Sequence, residues 1–132
     1  MKKSIVILLL IVVIGFIGYK MFYNGFSDIE SIAIQTYDKP FKKGVITTDK
    51  DKIATITGIL NRAKHESVCY ELANEPSYEM EIIYKDKTND ILWIHQGFDK
   101  NKTLLYGNNC NAYFITEKRT KKMLNLLLNE NN

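Results

Sequence analysis

Residues 79–85, Glu-Met-Glu-Ile-Ile-Tyr-Lys, carry the clearest structural pattern in the chain. Met80, Ile82 and Tyr84 alternate with neighbours that are mostly polar, and this period of two residues is typical of a β-strand with one buried face. The next residues, Asp-Lys-Thr-Asn-Asp, favour a turn, and the apolar stretch 91–95 has the composition of a returning strand. The two segments together predict a β-hairpin.

Four more segments are predicted to be strands, because they are short and apolar and are separated by turn residues. They are residues 29–37, 44–47, 102–106 and 112–116. Two segments have instead the apolar spacing of a helix with one buried face, residues 49–64 and 117–128. This order predicts an α+β fold, in which one antiparallel sheet of about five or six strands has two helices packed on one face.

The N-terminal segment has a different composition from the rest of the chain. Residues 5–14 are all Ile, Val or Leu, and the first 23 residues contain three Lys but no Asp or Glu. A helix over residues 4–23 would span roughly 30 Å, enough for one membrane crossing. A cleaved signal peptide is the alternative, but small residues at a cleavage site are missing after the apolar run. A lipid anchor is disfavoured because the first cysteine is Cys69.

We therefore expect residues 1–26 to be an uncleaved signal-anchor, a transmembrane helix that makes the chain a single-pass membrane protein. Lys2 and Lys3 predict a cytoplasmic N-terminus, with residues 27–132 as one extracytoplasmic domain outside the cell membrane. The membrane is then the first expected partner. Tyr19, Phe22, Tyr23 and Phe26 are expected to form an aromatic belt at the outer interface.

The composition excludes several classes of protein. With 45% apolar and 25% charged residues, the chain is not disordered as a whole. Its 132 residues leave room for one domain rather than a multidomain enzyme. Residues 24–132 have equal numbers of basic and acidic residues, 15 each, because three of the 18 Lys and Arg precede them. A domain without net charge argues against nucleic acid as a partner.

The two cysteines, Cys69 and Cys110, are expected to form a disulfide, since an even pair outside the cytoplasm favours oxidation. The alternative is a zinc site that adds His65 and His95, but the four residues lack a recognised zinc spacing. The sequence contains no motif of a hydrolase, a phosphate-binding loop or a calcium loop. We therefore predict no metal, no cofactor, no catalytic residue and no enzymatic activity.

The order of the elements and their apolar pattern resemble the YhfM-like domains, small envelope-facing domains of Firmicutes. The resemblance covers about residues 29–128, and is carried by the Ile-rich first strand, Asp49-Lys50-Asp51-Lys52-Ile53, Tyr78–Tyr84, Leu92-Trp93-Ile94 and Tyr113-Phe114 before the Leu-rich helix. Many such domains follow signal peptides or lipid anchors, whereas this chain lacks the lipid-anchoring cysteine. The family has no established activity, so the resemblance implies no functional residue.

The domain has more aromatic residues than a small core needs, and Tyr and Trp favour interfaces. Tyr84, Trp93, His95 and Tyr106 are the residues that we expect to form an interaction surface. The expected function is non-catalytic binding of an envelope protein or peptide. The alternative is a sensor of small molecules or cell-wall fragments with an apolar pocket between the sheet and the first helix of the domain. A small hydrolase, with a pocket that holds His95 beside a carboxylate or Cys, is the third hypothesis.

Overall fold

The computed structural model describes residues 2–22, 24–37 and 45–128 of the chain, with side chains given for residues 2–17 of the first segment. This part of the chain contains three α-helices, α1 (Lys2–Phe22), α2 (Lys50–Asn61) and α3 (Glu117–Leu128), and a short 3-10 helix at Asn108–Cys110. The strands are β1 (Ile29–Thr36), β2 (Val45–Thr47), β3 (Lys64–Ser67), β4 (Tyr78–Tyr84), β5 (Asn89–Asp99), β6 (Lys102–Tyr106) and β7 (Asn111–Thr116).

The seven strands form one sheet in the order β2-β1-β4-β5-β6-β7-β3, and every neighbouring pair is antiparallel. Strands β4 and β5 are the hairpin that the alternating residues predict, with Glu79 opposite Trp93. Trp93 also lies opposite Tyr106 on β6. Because β4, β5 and β6 are central, their side chains determine the character of both faces of the sheet.

The predicted number of five or six strands is wrong, because the prediction lacks β3. The apolar spacing predicts that residues 62–64 belong to the end of a helix. In the structure α2 ends at Asn61, and the Arg62 N–H donates a hydrogen bond to the Gly58 carbonyl. The chain then pairs with the distant strand β7, with His65 opposite Tyr113. Lys-His-Glu-Ser has no alternation of apolar residues, so only this long-range pairing defines the strand.

The main core lies between α2, α3 and one face of the sheet. Asp49 caps the first turn of α2, because its side chain accepts hydrogen bonds from the N–H groups of Asp51 and Lys52 over 2.9 and 3.0 Å. The fully buried side chains of this core include Ile32, Ile34, Ile56, Leu60, Met80, Ile82, Ile94, Leu105 and Met123. The helices therefore cover one face of the sheet with closely packed apolar side chains.

Phe26 is part of this core and not of an aromatic belt, so its expected position at a membrane interface is wrong. The side chains of Tyr19, Phe22 and Tyr23 lie outside the part of the chain that the structure describes. Only 5% of the Phe26 surface is exposed, and its ring contacts Tyr113 edge-on with centroids 5.4 Å apart. The side-chain oxygen of Asn61 accepts a hydrogen bond from the Phe26 N–H over 2.7 Å, and its amide nitrogen donates to the Phe26 carbonyl over 2.8 Å. Asn61 thus fixes the entry of the chain into the domain.

The transmembrane prediction for residues 4–23 is wrong. Among the described residues, no helix combines the length and the apolar character needed to cross a membrane. Three further predictions depended on a transmembrane helix and are therefore wrong as well. They are the signal-anchor, the single-pass topology and the placement of the domain outside the cell membrane.

Candidate functional site

The second face of the sheet, opposite α2 and α3, carries a group of aromatic and apolar side chains, and no helix among the described residues packs on it. On β5, Trp93 and His95 alternate with Leu92 and Ile94, which are buried in the main core. The register places Tyr106 beside Trp93. This face, which we call the aromatic face, consists of Trp93, His95, Leu104, Tyr106, Ala112 and Phe114.

Residues 68–77 cross part of the aromatic face as a loop that is attached at several points. Cys69 forms a disulfide with Cys110, the pair named from the sequence, with their Cα atoms 4.6 Å apart. At the far end of the loop, the Ser77 N–H donates to the Ile94 carbonyl over 2.7 Å. We call residues 68–77 the disulfide loop. Its attachment to β5 and to the residues before β7 fixes its position over the sheet.

Tyr70 is the main apolar contact between the disulfide loop and the sheet. Its ring lies edge-on to the rings of Phe98, Tyr106 and Phe114, with centroids 5.3, 6.1 and 6.3 Å apart. Beneath this cluster, Leu104 is fully buried although it lies on the face opposite the helices. The cluster is therefore a small second core, which holds the loop on the sheet by burial of apolar surface.

A groove remains between the disulfide loop and the aromatic face. Its larger part has a volume of about 470 Å³ and is lined by Tyr37, Leu72, Ala73, Asn74, Glu75, Pro76, Trp93, His95 and Tyr106. Its smaller part, about 230 Å³, shares Leu72 to Glu75 and His95 with the larger part and adds Glu71, Gln96, Gly97 and Phe98. We call both parts together the groove. The partly exposed Trp93 forms its floor at the centre of the sheet.

His95 lies at the boundary between the two parts of the groove and is only 9% exposed. Burial lowers the pKa of its imidazole below the ordinary value, so the ring is neutral at pH 7. Glu71 and Glu75 belong to the same walls, but neither carboxylate forms a hydrogen bond or an ion pair with His95 in the described part of the chain. The three residues therefore do not form a linked acid–base pair.

The structure brings together three of the four residues named as an interaction surface. Trp93, His95 and Tyr106 line the groove, whereas Tyr84 lies on the opposite face and packs against the main core. The Tyr84 hydroxyl donates to the Asp90 carboxylate over 2.6 Å, and burial raises the pKa of its phenol. The sequence analysis missed Tyr37 and residues 72–76; the only local signal there is Pro76, a typical loop residue.

The four residues of the zinc alternative do not meet in the structure as one ligand set. Cys69 and Cys110 are bonded to each other in the disulfide. The His65 ring stacks on the Tyr113 ring, with the ring centroids 4.8 Å apart. A ring nitrogen of His65 lies 3.0 Å from the side-chain oxygen of Asn111. Among the residues that the structure describes, no group of three or more His, Cys, Asp or Glu could hold a metal ion.

Comparison with known proteins gives one match. The family model described as YhfM protein matches residues 27–132, about four fifths of the chain. No curated protein and no solved structure matches this chain significantly. The match includes every strand of the sheet, both helices of the core and the disulfide loop. The resemblance drawn from the sequence is confirmed, and the chain belongs to the YhfM family.

Proposed function

We propose that this domain is a non-catalytic module that binds an extended segment of another protein in the groove. The observation that carries the proposal is the floor of the groove, where Trp93 and Tyr106 lie side by side on the face of the sheet opposite α2 and α3. Trp and Tyr are the side chains that most often dominate binding energy at protein interfaces. A segment lying across them would bury a large apolar area.

The fixed position of the disulfide loop supports the same proposal. The Cys69–Cys110 disulfide and the hydrogen bond from Ser77 hold both ends of the loop, and Tyr70 holds its first half. A preformed groove costs little conformational entropy when a ligand binds. The loop therefore acts as a wall of a binding site rather than as a flexible connection between strands.

A small-molecule sensor is the second candidate, and the volume of the groove favours it. About 470 Å³ lies within the range of roughly 300 to 1,000 Å³ that is common for small-ligand sites. The apolar pocket expected between the sheet and α2 is not the site, because Ile56, Ile59 and Leu60 fill that space at 0 to 2% exposure. A small ligand would instead share the groove with the proposed peptide.

A hydrolase is the third candidate, because the groove holds His95 together with Glu71 and Glu75. A carboxylate that orients a catalytic histidine would raise the pKa of the imidazole, yet burial lowers the pKa of His95. The described groove residues also include no Ser, Thr or Cys that could serve as a nucleophile. We therefore propose binding without catalysis.

Selection from a random library of displayed decapeptides on the full chain tests the proposal. Selected peptides without Trp should change the fluorescence of Trp93, the one tryptophan of the chain, in a saturable manner. Trp93→Leu should weaken the binding of a labelled peptide at least tenfold, measured by fluorescence anisotropy, because it removes the largest aromatic surface of the groove.

Tyr84→Phe is the matched control, because it changes an aromatic residue on the opposite face. This variant should bind the labelled peptide within twofold of the original chain. Equal losses in both variants, or a selection without any saturable binder, would contradict the proposed function. Binding of a wall fragment or another small ligand that displaces the peptide would favour the second candidate.

A further inference from the structure

The charged side chains that line the groove are all acidic. Glu71 and Glu75 line it from the disulfide loop, and Glu79 lies directly opposite Trp93 on the neighbouring strand. Glu81 follows Glu79 on the same face of β4. Among the described residues that line either part of the groove there is no Lys or Arg. A domain with as many basic as acidic residues thus has an acidic binding surface.

These four carboxylates are not neutralised by the described part of the protein. Its ion pairs include Lys64 with Glu66, Lys87 with Glu30 and Lys121 with Glu117, and none of these six residues lines the groove. The Glu79 carboxylate accepts a hydrogen bond from the Gln35 side-chain amide over 3.2 Å, and Glu81 accepts one from Asn89 over 3.3 Å. Neutral amides leave the negative charge of these two groups in place.

Gln35 extends the row of Trp93 and Glu79 onto β1. Its side chain is only 9% exposed and donates its amide hydrogen bond to the Glu79 carboxylate, in the same cross-strand row as Trp93. Gln35 thus holds the Glu79 carboxylate on the face of the sheet that carries the groove.

We propose that the groove binds a basic segment, with a Lys or Arg side chain over Trp93. This inference rests on the proposed function and names the chemistry of the partner. A guanidinium or ammonium group is attracted by the face of an indole ring and donates hydrogen bonds to carboxylates. Glu75 lines the groove together with Trp93, and Glu79 lies opposite Trp93 on the next strand, so both carboxylates are placed to pair with the cation.

Three matched decapeptides test this inference on the full chain. Their sequences alternate Thr with Arg, with Gln or with Glu, and none contains Trp or Tyr. The Arg peptide should change the Trp93 fluorescence in a saturable manner, and its dissociation constant should be at least tenfold lower than that of the Gln peptide. Raising the salt concentration from 50 to 500 mM should weaken its binding about fivefold, because salt screens exposed charges. The Glu peptide should give no response.

Two variants assign the effect to the groove. Glu75→Gln, on an exposed loop, should weaken binding of the Arg peptide about threefold without any effect on folding, and Glu75→Gln with Glu79→Gln about tenfold. Glu117→Gln removes the same charge at the start of α3 and should stay within twofold of the original chain. Equal binding of the Arg and Gln peptides would overturn the basic partner and leave the proposed function standing. No response to any peptide would count against both.

Discussion

The backbone N–H of Tyr70 donates a hydrogen bond to the phenolic oxygen of Tyr106 over 3.1 Å. This bond joins the disulfide loop to the central part of the sheet at a residue that also lines the groove. Tyr106 therefore has two roles, since its ring forms part of the floor and its hydroxyl holds the wall. The two roles can be separated by removing the oxygen alone.

Tyr106→Phe should lower the free energy of unfolding by about 1 kcal/mol, because the half-buried Tyr70 N–H loses its acceptor. Hydrogen exchange measured by NMR should show faster exchange of the Tyr70 amide. The Ser77 amide, which bonds to the Ile94 carbonyl at the other end of the loop, is the internal control and should keep its rate. An unchanged rate for Tyr70 would show that this hydrogen bond does not hold the loop.

Replacing Cys69 and Cys110 with Ser should lower the free energy of unfolding by up to about 4 kcal/mol. The cysteines are 41 residues apart, and a crosslink over such a loop restricts the unfolded chain. Urea unfolding of the original chain with and without reductant measures the effect. The double variant is the control, because reductant should not change its midpoint. An original chain whose unfolding is insensitive to reductant would contradict a stabilising disulfide.

Stability should fall as the pH decreases through about 6.5. Burial lowers the pKa of His95 in the folded state below the ordinary value of 6.5, so the unfolded state binds the proton more readily. The contribution of the neutral His95 to the free energy of unfolding is complete above pH 6.5. It is lost as the pH falls through the pKa of His95 in the folded state. Urea unfolding between pH 5.5 and 8, above the range in which carboxylates ordinarily titrate, measures this dependence.

His95→Gln should remove this part of the pH dependence. Glu71 and Glu75 share the walls of the groove with His95, so Glu71→Gln with Glu75→Gln is the control and should keep the dependence. A pH dependence that persists in His95→Gln would assign it to another group.

Asn61→Ala should lower the free energy of unfolding by about 3 kcal/mol, measured by urea unfolding. The substitution leaves the N–H and the carbonyl of the buried Phe26 without their partners. Asn108→Ala, at an exposed position, should have little effect. Equal small effects of both substitutions would show that residues before β1 are not part of the cooperative domain.

The sequence predicts those elements whose pattern is local. The alternation in residues 79–85 gives β4 to within one residue, and the same period shows that Trp93 and His95 share a face of β5. Tyr84 has the same period as the buried Met80 and Ile82, so its position on the helix-covered face was available from the sequence. Its assignment to an interaction surface ignored this signal.

The remaining features depend on contacts between distant residues. Strand β3 has no alternation of its own and exists because it pairs with β7. The groove depends on where an irregular loop lies, and that position is set by the Cys69–Cys110 disulfide and by the hydrogen bond between Tyr70 and Tyr106. No local pattern in residues 72–76 encodes these contacts, so the wall of the groove could not be predicted from the sequence.

The helices and the groove lie on opposite sides of one sheet, and this arrangement separates folding from recognition. Side chains such as Ile94 and Leu105 enter the main core, whereas their neighbours Trp93 and Tyr106 face the groove. Changes of ligand preference can therefore accumulate on one side while the other side keeps the domain folded. The domain is therefore suited to redesign, because residues that line the groove can be substituted while the main core is left unchanged.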